Sequence, residues 1–209
     1  MNYNRISVLL ALTILGTLTL GTRISSGAGV LPNGWLGRGA NPEAYEMIVD
    51  RAVKHSGKAG AHIKFIGENS AGFGTLMQNF KADEYRGKRV RMSAWVKSDN
   101  AEAAQIWMRI DGAKLILGFD NMENRAVKGT TDWQRYEITL EVPQNAVNVA
   151  FGVMVVGKGQ AWVDDYLFEV VGKDVPSTNM LTPEQMNEEQ EARPYRESLK
   201  QPMNLNFEE

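Results

Sequence analysis

Apolar positions in this chain recur every second residue, in short bursts separated by polar and glycine-rich pieces. Val90, Met92, Ala94 and Val96 share one phase, while Arg89, Arg91, Ser93, Trp95 and Lys97 take the other. A period of two sends successive side chains to opposite faces of a strand. Ile106, Met108 and Ile110 repeat the apolar phase, with Gln105, Trp107, Arg109 and Asp111 opposite. The polar residues 98–101 between the two runs read as a turn, which predicts an antiparallel hairpin. Symmetric pairing about that turn would set Trp107 opposite Ser93 and Arg109 opposite Arg91. Like charges in that relation are unfavourable unless carboxylates or anions intervene.

The same alternation predicts strands over 44–53, 59–65, 75–82, 114–119 and 134–142, the last stopped by Pro143. Residues 147–156 are apolar on both phases, as in a central strand covered on both sides. Gly157 and Gly159 turn the chain back into 160–171. Between these runs lie a turn at 55–58, a loop over 67–74, the Asp111-Gly112 turn and a long polar loop over 120–132. About eight or nine short strands without a helix before residue 182 predict an all-β, antiparallel two-sheet jelly-roll sandwich. A parallel sheet would need crossover helices that the spacing leaves no room for.

The two ends read differently. Met1–Arg5 carries one positive charge, 6–20 is mostly apolar, and Ser26-Gly27-Ala28 supplies small residues for cleavage. This is the layout of a signal peptide over 1–28, and the run is shorter than the roughly 20 residues of a spanning helix. It predicts a secreted or periplasmic protein that meets the membrane only through this segment before cleavage; the alternative is an uncleaved anchor. The sandwich is then 29–171 and the tail 172–209. In the tail, Thr182-Pro183-Glu184-Gln185 stands in capping-box order and predicts a short helix to about residue 191. Met203, Leu205 and Phe207 alternate as in a terminal strand.

Several local patterns together resemble a known family. They are Gly34-Trp35, Tyr45 with Asp50, Gly57, Tyr85-Arg86-Gly87-Lys88, and Trp162-Val163-Asp164-Asp165. With them go Trp-Met-Arg-x-Asp-Gly at 107–112, Phe-Asp-Asn-Met at 119–122 and Gly-Thr-Thr-Asp-Trp at 129–133. Over residues 35–171 the chain is similar to the jelly rolls of carbohydrate-binding modules and galactose-binding-like sandwiches, in particular to bacterial domains that carry the last three motifs. The resemblance implies the fold more than a ligand, because one such fold hosts many functions. Such domains begin with an Asn-Leu-x-Phe-Glu strand. Here that pattern stands at the other end, as Asn204-Leu205-Asn206-Phe207-Glu208. The tail is therefore expected to travel back across the sandwich and fill the first-strand position; the alternatives are donation to a neighbouring molecule and a disordered end. The resemblance also implies a structural calcium near Asp164 and Asp165, with Glu208 in the place of the first-strand Glu.

Composition narrows the chemistry. The chain has 23 Lys+Arg against 25 Asp+Glu, and loss of Arg5 and Arg23 with the leader leaves 21 against 25, a net charge of −4. Nothing in this balance provides the clustered positive charge that nucleic acid requires. There is no Cys and there are two His, which argues against disulfides and a transition-metal site, whereas hard cations remain compatible with the oxygen ligands present. No cofactor beyond that calcium is expected, and the chain is expected to be monomeric.

The candidate ligand-binding residues are Trp95 and Trp107 with Arg91 and Arg109, and Asp120, Asn121 and Arg125 on the following loop. An aromatic platform beside forked donors suits a sugar ring, whose apolar face stacks while its hydroxyls hydrogen-bond. The bland alternative is that the tail covers the Trp face and that Asp120 and Asn121 only stabilise a turn. For Asp164 it is a β-bulge whose carboxylate bonds backbone amides. His55 and His62 are expected to be packing residues. A glycosidase needs two carboxylates across a cleft, and no motif singles out a pair among Asp120, Asp132 and Asp164. The expected function is a non-catalytic extracytoplasmic binding module for a glycan. The alternatives are a structural or protein-interaction domain of the cell envelope and, more weakly, a hydrolase.

Overall fold

The computed structural model describes residues 30–186 and 198–209. The leader over 1–28 and the expected end of the tail helix lie outside these residues. The strands are β1 (Leu36–Gly39), β2 (Tyr45–Asp50), β3 (Gly60–Phe65), β4 (Phe73–Lys81), β5 (Lys88–Asp111), β6 (Ile116–Asp120), β7 (Val127–Val142), β8 (Asn148–Val156) and β9 (Gln160–Val171). All their pairings are antiparallel, in the order β1-β4-β8-β5-β9-β3-β2, with β6 and β7 also on β5.

The predicted hairpin at 98–101 does not exist. β5 is one strand of 24 residues. Its first half lies between β7 and β9, and its second half lies between β8 and β6. The sheet folds over across β5 into two facing layers, so the one apolar phase of this strand lines the same core from both of its halves. Val90, Met92, Ala94 and Val96 enter it from the first half, and Ala104, Ile106, Met108 and Ile110 from the second. The polar residues at the crossing stay within the strand because neighbouring β7 residues satisfy them. The Ser98 hydroxyl donates to the Gly129 carbonyl (3.0 Å), and the Asn100 N–H donates to Thr130 Oγ1 (3.0 Å). Accordingly β7 starts at Val127, within the stretch that reads as loop. Arg109 faces Ala150 and Phe119 across the ladders rather than Arg91.

β8 is covered on both sides as expected, and only Val156 of its residues is more than slightly exposed. The capping box forms: the Gln185 N–H donates to Thr182 Oγ1 (3.3 Å), and the Thr182 N–H donates to Gln185 Oε1 (2.9 Å) at the start of α1 (Pro183–Met186).

The last residues lie on the sandwich, but not as a strand. Phe207 is 1 % exposed and packs on Trp35 (ring centroids 4.9 Å apart) and Tyr166. Burial of such a ring stabilises by roughly 1.5–3 kcal/mol. Only one backbone bond joins this end to β9, from the Tyr166 N–H to the Leu205 carbonyl (2.9 Å). Asn204 closes the end on itself: its Oδ1 accepts from the Glu209 N–H, its Nδ2 donates to the Glu209 carbonyl, and its φ of 47° is left-handed. A short polar side chain tolerates that conformation. The chain therefore delivers Phe207 inward by a turn, and the alternation of Met203, Leu205 and Phe207 does not report a strand.

A candidate binding face

An irregularity in β9 builds the open face of the first layer. Opposite β5, Ser93 faces Leu167 and Trp95 faces Asp164, so β9 carries one residue more than its partner. Asp165, with φ 49°, absorbs the excess. Such a bulge shifts the alternation by one. Before it, Ala161 and Val163 point into the core; after it, Tyr166 and Phe168 do. Trp162 therefore points away from the core, whereas an unbroken alternation would put it on the inward phase of Tyr166.

Three of the five tryptophans now stand on one sheet surface. Trp162 stacks on His62 (4.6 Å, 6° between planes), and its indole N–H donates to Asp50 Oδ2 (2.9 Å). Its ladder neighbour on β5 is Lys97, two residues from Trp95. The Trp95 ring stacks on His55 (3.9 Å, 13°), and Trp133 meets the same imidazole edge-on (5.7 Å, 67°). Trp95, His55 and Trp133 are each half-buried, so this aromatic corner keeps ring surface in contact with water.

The charges around the corner are compensated. Lys97 pairs with Asp132 (2.8 Å). Arg91 pairs with Glu169 (3.1 Å) and Glu137 (3.8 Å), and Arg135 pairs with the same two carboxylates and donates to Ser93 Oγ (3.0 Å). What remains for a ligand is aromatic surface and hydrogen-bonding groups rather than an unpaired charge among these cations.

The corner is held from behind by carboxylates. His55 Nδ1 donates to Asp165 Oδ2 (2.8 Å), and the Ser56 hydroxyl donates to Asp165 Oδ1 (2.9 Å). Asp164 Oδ2 accepts the N–H groups of His55 (2.9 Å) and Ser56 (3.1 Å), and its Oδ1 accepts that of Asp165 (2.8 Å). Burial pushes the Asp164 carboxyl above its ordinary value, and these N–H bonds from Ser56, Asp165 and His55 only partly oppose it. For Asp50 the balance falls the other way. Burial opposes ionisation, but bonds from the Val53 N–H, the Trp162 indole and the Ala52 N–H hold its carboxyl below the usual range. Glu208 accepts from the Lys58 and Ala59 N–H groups.

No family model matches the chain. It is 42% identical over 179 residues to the "uncharacterized HTH-type transcriptional regulator YbfP" of Bacillus subtilis (strain 168), a match over 84% of this chain and 57% of the relative. The chain thus spans a little over half the length of that protein. Among solved structures, the enzymatically active domain of tailspike protein 4 of bacteriophage CBA120 superposes with a TM-score of 0.52 at 9% identity, over 66% of this chain and 20% of that one. The CBM22-1–GH10 modules of Clostridium thermocellum xylanase 10B, complexed with xylohexaose, superpose with a TM-score of 0.50 at 12% identity, over 68% of this chain and 27% of that one. The likeness to both is one of fold.

The candidate residues read from the sequence divide between places. Trp95 and Arg91 are on the open face. Trp107 and Arg109 belong to the outer side of the second layer and are 5% exposed each. The Trp107 indole donates to Thr75 Oγ1 (2.8 Å), and Met77, Ile116, Phe119, Met154 and Leu181 pack around it. Arg109 pairs with Asp111 (2.7 Å), which also accepts from the Asn148 amide. Asp120 is fully buried, pairs with Arg125 (2.6 Å) and accepts the Met122 N–H (2.8 Å), while Asn121 accepts the Glu123 N–H (3.2 Å). That loop is tied to itself. At Asp164 both carboxylate oxygens accept backbone N–H groups, and at Glu208 Oε1 does. Among the described residues no three His, Cys, Asp or Glu side chains group as metal ligands. His55, His62, Trp133 and Trp162 are the contributors that sequence reasoning passed over. For Trp162 a signal existed: the β-bulge weighed for Asp164 in the sequence also reverses the phase of the residues before it. For His55 none did, because its partner Asp165 is 110 residues away.

Proposed function

We propose that the chain is an extracytoplasmic binding module without catalysis, and that it takes a saccharide on the corner formed by Trp95, His55 and Trp133. The observation that carries this reading is that corner: two indoles and an imidazole, each half open to water, on one sheet surface with Trp162 alongside. A sugar ring offers an apolar face to an indole and hydroxyls to the polar groups around it. Compensated cations favour a neutral saccharide over a uronate or a sulfate. Catalysis is disfavoured by the state of the carboxylates, because Asp120 and Asp164 are fully buried and already bonded.

The test is a titration of the purified protein with a panel of soluble glycans, xylohexaose and polygalacturonate among them, followed by tryptophan fluorescence. A neutral oligosaccharide is expected to quench or shift the emission, and Trp133→Ala to weaken binding at least about tenfold, the loss of one stacking contact of roughly 1.5 kcal/mol. Binding that survives Trp133→Ala unchanged, or a panel without a binder, would overturn the assignment.

A second reading is supported by the relative named as a transcriptional regulator. In it the same corner senses a small effector inside the cell, as the ligand-binding part of a regulator. Fractionation of cells that express the tagged chain separates the two. Recovery from the medium or periplasm supports the first, and recovery from the cytoplasm supports the second.

A further inference from the structure

The loop between β2 and β3 offers its N–H groups in pairs to three carboxylates. Asp50 accepts from Ala52 and Val53, Asp164 from His55 and Ser56, and Glu208 from Lys58 and Ala59. The first two carboxylates stand on strands that border the loop, whereas the third arrives from the end of the chain, 150 residues beyond Lys58. The loop is shaped to receive it. Gly57 has φ +60°, and a Cβ there would lie 2.1 Å from Glu208 Oε1. In the same loop sits His55, whose ring covers Trp95.

We propose that Glu208 is a positioning residue for the aromatic corner, so that docking of the chain's last residues and placement of His55 on Trp95 are one event. Phe207 anchors the end in the core, and Glu208 converts that anchorage into a fixed loop. The consequence for saccharide binding rests on the reading of the corner given above; the placement of His55 does not. A ligand that needs the corner is then held well only by a chain whose tail is docked.

The experiment compares the full chain with Glu208→Ala by proton NMR of the histidine rings. The chain has two histidines, and His62→Gln assigns them. In the parent, stacking on Trp95 displaces the His55 ring protons upfield through the indole ring current. Glu208→Ala is expected to return them toward free imidazole and, for any glycan the parent binds, to lower affinity roughly tenfold, the worth of a hydrogen bond to a charged group. His55 signals that coincide in parent and variant would overturn the proposal, whether or not a glycan binds. If Glu208→Ala does not fold, Glu208→Asp is read in the same way. It keeps charge and anchor but draws the carboxylate back by one methylene. A parent that binds no glycan sinks the saccharide reading and leaves the ring shifts to decide this one.

Discussion

Trp95 with Arg91 and Trp107 with Arg109 occupy the same off-core phase of the same strand, yet they end in opposite circumstances. Around Trp95 the surface is open, and Arg91 shares two partly exposed carboxylates with Arg135. Around Trp107 a second apolar cluster closes, to which the segment after β9 contributes Leu181, and Arg109 is sealed in with Asp111. Alternation reports only that a side chain leaves the core between the layers. Whether it then meets water depends on what the rest of the chain lays over that side.

The contrast is sharpest for the two arginines, and the largest effect is expected there. Asp111→Ala strands the Arg109 charge in a buried setting and should cost about 3–5 kcal/mol, since a buried pair broken from one side leaves an uncompensated ion. Glu169→Ala, at the open face, should cost about 1 kcal/mol or less, because exposed pairs are weakened by solvent. Urea denaturation of the two variants measures both. Equal losses would erase the distinction between the faces.

The tryptophans should repeat the contrast on a smaller scale. Trp107→Phe removes a buried indole N–H bonded to Thr75 Oγ1 together with part of a packed ring, and about 1–3 kcal/mol should be lost. Trp95→Phe keeps an aromatic ring for His55 at a half-open site and should lose less than about 1 kcal/mol. If Trp95→Phe proves the more damaging, the open face is a structural surface and the case for a ligand there weakens.

Much of the fold was legible because strands of a sandwich are half-buried, and half-burial writes a period of two into the sequence. β4, β8 and the paired bend at Asp111-Gly112 appear where the pattern puts them. What was lost follows from three local events. At 98–101 the polar groups bond sideways to β7 instead of forming a turn, so one strand reads as two. At Asp164 and Asp165 a single extra residue reverses the phase, so Trp162 is misdirected. At Asn204 and Phe207 left-handed backbone delivers a buried ring without a strand. Of the candidate site, the sequence supplied Trp95 and Arg91 but not His55, because the loop that carries it is placed by carboxylates more than a hundred residues away.

The smallest effect concerns acid. His62 is stacked beneath Trp162, and burial holds its imidazole below the ordinary value of 6.5. The Gln160 amide oxygen and the charges of Asp50 and Glu46 oppose that shift, while Lys64 on the same strand adds to it. The folded chain therefore prefers the neutral ring. Its stability contribution is complete above 6.5 and is lost as pH falls through the folded-state value, because the unfolded chain takes the proton first. Asp164 acts with the opposite sign in a lower window. Its raised value means that its contribution is present below 3.8 and is lost as pH rises through the folded-state value. Stability of the parent should thus decline from pH 7 toward pH 5, and His62→Gln should flatten that decline while leaving the region near pH 4 as it was. A slope between pH 7 and 5 that is the same with and without His62 would mean that the imidazole at this end of the open face is as free to ionise as one in water, and that the stack on Trp162 does not exclude solvent from it.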